Sequence, residues 1–179
     1  NLGVNFFFVL SGFLITYLLI QEKKKSVIDV KSFWLRRILR IWPLYFASVF
    51  FGFVIFPILK QLFGQIPNET ANLFFYLTFI SNFDIIKTGI PDASSLNILW
   101  SIAIEEQFYF IWPILLSIVP FRFYPYLFGG IVSSSLVFRA FYDNPVMHEF
   151  HTLSCIGDMG VGAIGAYLVQ FDKYKEKIK

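Results

Sequence analysis

Glu105 and Glu106 stand side by side inside the apolar run LNILWSIAIEEQFYFIWPILL, residues 96–116. An ionisable group inside such a run costs about 2.5–3.5 kcal/mol on insertion scales, so its presence calls for a chemical or a pairing role. The two carboxylates lie eight to nine residues into a span read as 97–119, about 12 Å along a helix axis. At about 100° per residue, Ser101, Glu105, Tyr109 and Trp112 fall within roughly 80° of one another, with Glu106 to the side. A carboxylate beside a hydroxyl and a phenol suits proton or hydroxyl handling in an internal cavity. The competing role is a Glu that pairs with an Arg or Tyr to hold helices together.

Two other polar groupings invite the same question. In KSFWLRRILRIWPLY, residues 31–45, Arg36 and Arg40 are an i, i+4 pair, and Arg37 and Arg40 also share a face. Guanidinium groups suit bidentate phosphate recognition, although any basic loop at a membrane surface also fixes topology. In LSCIGDMGVGAIGAYL, residues 153–168, Asp158, Gly162, Gly165 and Ala166 share a face, a small-residue seam that lets membrane helices pack closely. On the first apolar run, NLGVNFFFVLSGFLITYLLI, Asn5, Gly12 and Thr16 fall within about 40° of one another, a stripe expected to face protein. Ser11 points elsewhere and is expected to bond back to its own helix. With two His, one Cys and no ligand spacing, no metal site is expected.

These groups must be positioned by membrane helices. Of 179 residues, 56% are hydrophobic, 21% aromatic and only 15% charged, a composition outside the range of soluble domains. It excludes a nucleic-acid partner as the main role and makes the lipid bilayer the expected one. Spans of about 20 residues are expected at 3–21, 41–59, 97–119, 124–142 and 153–171. A shorter run, 71–83, is expected to be re-entrant or interfacial. The fold class is therefore all-α, a polytopic bundle of about five spans, in one domain that starts and ends abruptly. Prolines 43, 57, 113, 120 and 125 are expected at or near span ends. Residues 21–40 carry seven Lys or Arg against two acids, and the tail from Asp172 carries four Lys against two. The positive-inside rule places both in the cytoplasm, and the parity of crossings favours the re-entrant reading of 71–83.

Four stretches together resemble acyltransferase family 3, integral membrane proteins that include bacterial O-antigen and other glycan O-acetyltransferases. GVNFFFVLSGFLIT resembles the family's Phe-Phe-x-x-Ser-Gly helix through Phe7, Phe8, Ser11 and Gly12. RRILRIWPLY is similar to its Arg-x-x-Arg element through Arg37, Arg40, Pro43 and Tyr45. LWSIAIEEQFYFIWP resembles its Trp-Ser-Leu-x-x-Glu-x-x-Phe-Tyr helix, with Ile102 replacing the usual Leu. HTLSCIGDMGVGAIGAYL is similar to a later helix with an Asp and a small-residue run.

The resemblance implies transfer of an acyl group, acetyl above all, from cytoplasmic acyl-CoA (acetyl-CoA) to a hydroxyl of a cell-envelope sugar or glycolipid. It implies a multi-pass protein of the bacterial inner membrane with about ten helices, of which residues 1–179 are an incomplete domain lacking the first helix and the C-terminal ones. The family's Arg and His, ten residues apart, are expected on a helix upstream of Asn1, with that His as general base and the fragment alone inactive. His148 and His151 do not match it. Glu105, Ser101, Tyr109, Ser11 and Asn5 are then the expected catalytic-site residues, although the family often has Asp at the position of Asn5. Arg36, Arg37 and Arg40 are the expected acyl-CoA-binding residues. A transporter or flippase, and a truncated inactive remnant, are the alternatives left open by the residues.

Overall fold

The computed structural model describes residues 2–176, with side chains to residue 170. The tail charges therefore lie outside the described side chains. All regular elements among the described residues are helical. The long helices are α1 (Leu2–Lys25), α2 (Val30–Phe50), α7 (Leu99–Ile118), α8 (Tyr124–Phe141) and α10 (Thr152–Glu176). Short ones are α3 (Phe56–Leu62), α4 (Leu73–Leu77), α5 (Ser81–Thr88), α6 (Ser94–Asn97) and α9 (Pro145–Phe150).

Four helical paths are long and apolar enough to cross a membrane: Leu2–Lys25, Val30–Leu62, Ser94–Ile118 and Thr152–Gln170. The fifth expected span forms α8, a helix of 18 residues, but its Gly129, Gly130, three serines and Arg139 leave it outside that group. Two of the prolines depart from expectation. Pro43 and Pro113 lie inside α2 and α7: α2 already begins at Val30, well before the apolar stretch expected from residue 41, and α7 continues past Pro113 to Ile118. Such interruptions are tolerated where neighbouring protein re-satisfies the freed carbonyl.

The chain forms two compact units, residues 1–30 with 108–179 and residues 31–107, divided inside α7 between Gln107 and Phe108. In the first unit, α1 and α10 meet backbone to backbone. A Cβ on Gly12 would overlap the Met159 backbone, and one on Gly162 would overlap the Val9 carbonyl. The small-residue seam expected on α10 is thus a contact with α1. Gly157 and Gly160 extend the same logic to α8, lying against Ser135 and Val132.

The helix ends of this unit set its direction. Lys23 Nζ donates to the carbonyls of Leu116, Ser117 (3.1 Å) and Val119 (2.7 Å), groups that the end of α7 leaves without helical partners. Tyr124 at the start of α8 donates to Leu116 O at 2.6 Å, and Lys24 reaches Gln170 O at 2.9 Å. The C-terminal ends of α1, α7 and α10 therefore gather with the start of α8. Because α1 and α7 end on the same side, the chain between them makes an odd number of crossings. The helical path Val30–Leu62 is long and apolar enough to supply one. The 71–83 run breaks into α4 and α5, of five and eight residues, each shorter than a spanning helix of about 20 residues.

The second unit is built on an aromatic core of Tyr45, Val49, Tyr76, Phe79, Leu96 and Leu99. Between α2 and α3 the helix widens into a π turn, Phe51–Ile55, with Gly52 against the Leu96 side chain. The break between α4 and α5 is made by Phe79, whose φ of 56° is left-handed and costly for a residue with a Cβ. Asn72 caps α4 by accepting from Phe74 N at 3.0 Å.

Candidate active site

Helix α7 carries the candidate carboxylates, and its two halves belong to different units. In the second unit, Glu105 and Glu106 are 5% and 2% exposed. Glu106 Oε2 accepts from Trp42 Nε1 at 3.1 Å, which ties α7 to α2. Its other oxygen, Oε1, is buried with no hydrogen-bond partner among the described residues. The next residue, Gln107, donates from Nε2 to Phe79 O at 2.8 Å and to Asn82 Oδ1 at 3.0 Å. One short run of α7 thus holds both a buried carboxylate and the left-handed turn. Ser101 is half-buried and donates to Ile98 O on its own chain segment at 3.1 Å.

The arginines stand within the first three turns of α2, inside the helix rather than at its start. Arg36 and Arg40 are exposed, and Arg37 is half-buried with its guanidinium 5.6 Å from the Phe33 ring centre. Arg36 and Arg40, four residues apart on one helix, lie one turn apart on its exposed side.

In the first unit the other half of the α7 stripe meets α1. The Tyr109 hydroxyl and Ser11 Oγ are hydrogen-bonded, and Trp112 Nε1 donates to Thr16 Oγ1 at 2.8 Å. Ser11 does not bond back to its own helix as its position on the wheel suggested, because Tyr109 reaches across to it. Gly12 and Thr16 do face protein, with Phe8. Asn5 does not: it is exposed, one turn before Phe8, and among the described residues no helix covers that first turn of α1. Helical periodicity placed Asn5 on the same stripe as Gly12 and Thr16, but burial along that stripe begins at Phe8.

Asp158, on α10, lies 3.9 Å from Arg139, whose Nε donates to Ser154 Oγ at 2.8 Å. It belongs to a network that joins α10 to α8. Sequence reasoning missed Trp42 and Gln107. Their signal was adjacency, Trp42 two residues after Arg40 and Gln107 directly after Glu106. It also passed over Asp84, which is 1% exposed and accepts from Asn72 N at 2.9 Å. Burial pushes its carboxyl above the usual aspartate range, against the opposing effect of that backbone hydrogen bond. Asp92 is the converse case, held down by its hydrogen bond with Lys60.

An acyltransferase-domain profile, that of acyltransferase family 3, matches residues 1–175. The peptidoglycan O-acetyltransferase OatA of Listeria monocytogenes is 40% identical over 126 residues, which is 65% of this chain and 20% of that protein. The O-acetyltransferase OatA of Staphylococcus aureus is 38% identical over 133 residues, 69% of this chain and 21% of that protein. The chain spans about a fifth of the length of these curated relatives. No solved structure matches it.

Proposed function

The chain belongs to acyltransferase family 3, and we propose on that premise that this protein is a membrane-bound O-acetyltransferase of the cell envelope. It moves an acetyl group from cytoplasmic acyl-CoA to a hydroxyl of an envelope sugar. The relatives' names favour a peptidoglycan sugar as acceptor over a lipopolysaccharide one. The observation that carries this reading is the burial of both carboxylates in the Trp100–Tyr109 run, the stretch that resembles the family's Glu-bearing helix. Residues 21–40 face the cytoplasm in this reading, on the strength of their positive charge.

Acyl transfer to an alcohol needs a dock for the donor, a base for the hydroxyl proton and stabilisation of the oxyanion. Arg37 and Arg40 hold the CoA phosphates, with Arg36 adding to the local field. Glu105 accepts hydrogen bonds in the acceptor cavity and orients the group that takes the proton. Ser11 and Tyr109, joined across α1 and α7, hold the α7 stripe in register.

The test uses the full-length protein in lipid nanodiscs, with labelled acetyl-CoA and a chitooligosaccharide as acceptor. Glu105→Gln is expected to abolish transfer in a protein that remains folded. The double variant Arg37→Ala with Arg40→Ala is expected to raise KM for acetyl-CoA by about tenfold or more, since charged hydrogen bonds to phosphate are worth ~1.5–3 kcal/mol. Wild-type turnover by the Glu105 variant, or an unchanged KM in the arginine variant, overturns the respective role.

A further inference from the structure

Glu106 has one carboxylate oxygen engaged and the other buried without a hydrogen-bond partner among the described residues. One of its oxygens is fixed by the Trp42 indole N–H at 3.1 Å. The other is buried, in a side chain 2% exposed, with no donor among the described residues. Such an acceptor is costly unless it meets a donor during function. Its surroundings in the second unit keep it oriented. The Trp42 ring lies 5.2 Å from the Phe79 ring, and Phe79 is stacked on Tyr45 at 4.4 Å. The Phe79 carbonyl in turn accepts from Gln107, the residue next to Glu106.

This makes a closed circuit: Glu106 to Trp42, Trp42 to Phe79, Phe79 to Gln107, and back along α7. The left-handed turn at Phe79 is the element the circuit locks. Strain of that kind persists where the surrounding structure over-determines it, and it gathers at functional sites. A hydroxyl is at hand as well. Tyr45 donates its hydroxyl proton to Tyr76 O at 2.8 Å, and the fully buried Ser81 lies beside it.

We propose that Glu106 Oε1 is the atom that accepts the hydrogen bond of the acceptor's hydroxyl group, with Trp42 as its positioning residue. The ligand is a neutral polyol, a sugar, and the inference rests on the acyl-transfer reading above. It assigns no proton transfer to Glu106: the carboxylate holds and aims the hydroxyl.

Glu106→Gln is the decisive variant. The amide oxygen takes the Trp42 N–H, which leaves an NH2 donor where Oε1 was, with the same shape and the opposite hydrogen-bond polarity. In full-length protein with acetyl-CoA and chitotetraose, kcat/KM for the sugar should fall about 10- to 150-fold. KM for acetyl-CoA and Tm should stay unchanged. Trp42→Phe, which keeps a ring and removes the N–H, should produce a smaller loss in the same sugar-specific parameter. Wild-type sugar kinetics in Glu106→Gln overturn the proposal. So does an equal loss for sugar and acetyl-CoA with a lowered Tm, which assigns Oε1 to an internal structural role. If the wild type transfers no acetyl group, the function reading fails, and chitotetraose binding to wild type and Glu106→Gln decides this proposal on its own.

Discussion

What a buried side chain does depends on which of its polar atoms are already engaged. The Tyr109 hydroxyl is engaged with Ser11 and the Trp112 indole with Thr16. Tyr109→Phe is therefore expected to cost ~1 kcal/mol of stability, read as a lowered Tm, by leaving Ser11 without its cross-helix partner. Asp84 behaves differently, because burial raises its carboxyl above the ordinary aspartate value. A buried acid of this kind stays protonated in the fold at pH values where the unfolded chain has lost its proton. Stability then falls as pH rises from about 3.9 through the raised value. Asp84→Asn keeps an acceptor for the Asn72 N–H and removes the ionisation, so its stability should be flatter across that window. A thermal-unfolding series in detergent checks this, and an unchanged pH slope would assign the dependence to another group.

At the scale of elements, the α1–α10 seam and the α4–α5 break are set by opposite means. The seam depends on missing atoms. Gly12→Ala should destabilise by ~1–3 kcal/mol, because its methyl meets backbone that cannot move aside. Gly165→Ala is the matched control, since its Cβ would meet only the Phe13 ring at 3.5 Å, an ordinary contact. Equal Tm shifts for the two would argue against backbone contact at Gly12. The break instead involves added atoms: at Phe79 the backbone is left-handed while its ring packs on Tyr45 and Trp42.

At the scale of the whole chain, the paired ends of α1 and α7 and the start of α8 predict sidedness. In a Cys155→Ser background, single cysteines at Val27 and Arg122 should label from the same side of the membrane, and one at Asn144 from the other. All three sites are exposed. Labelling of Val27 and Arg122 from opposite sides would refute the parity.

Much of this was legible in composition and period. Apolar runs of span length, the basic flank at 21–40 and the glycine seam of α10 each follow from local rules of length, charge and 3.6-residue spacing. The shortness of 71–83 likewise set it apart from the runs of span length. The helical wheel could align Glu105 with Tyr109, yet it could not say that Asn5 lies exposed or that Ser11 pairs with Tyr109. Those facts depend on where a second helix starts and how far its side chains reach. The same holds for the Trp42–Glu106 bond and for Phe79 under Gln107, which join residues 64 and 28 positions apart. Local sequence determines what can be a membrane helix, because hydrocarbon acts on each segment separately. Which oxygen of the Glu106 carboxylate is engaged and which is not was decided only by tertiary structure, because a hydrogen bond requires both partners in place.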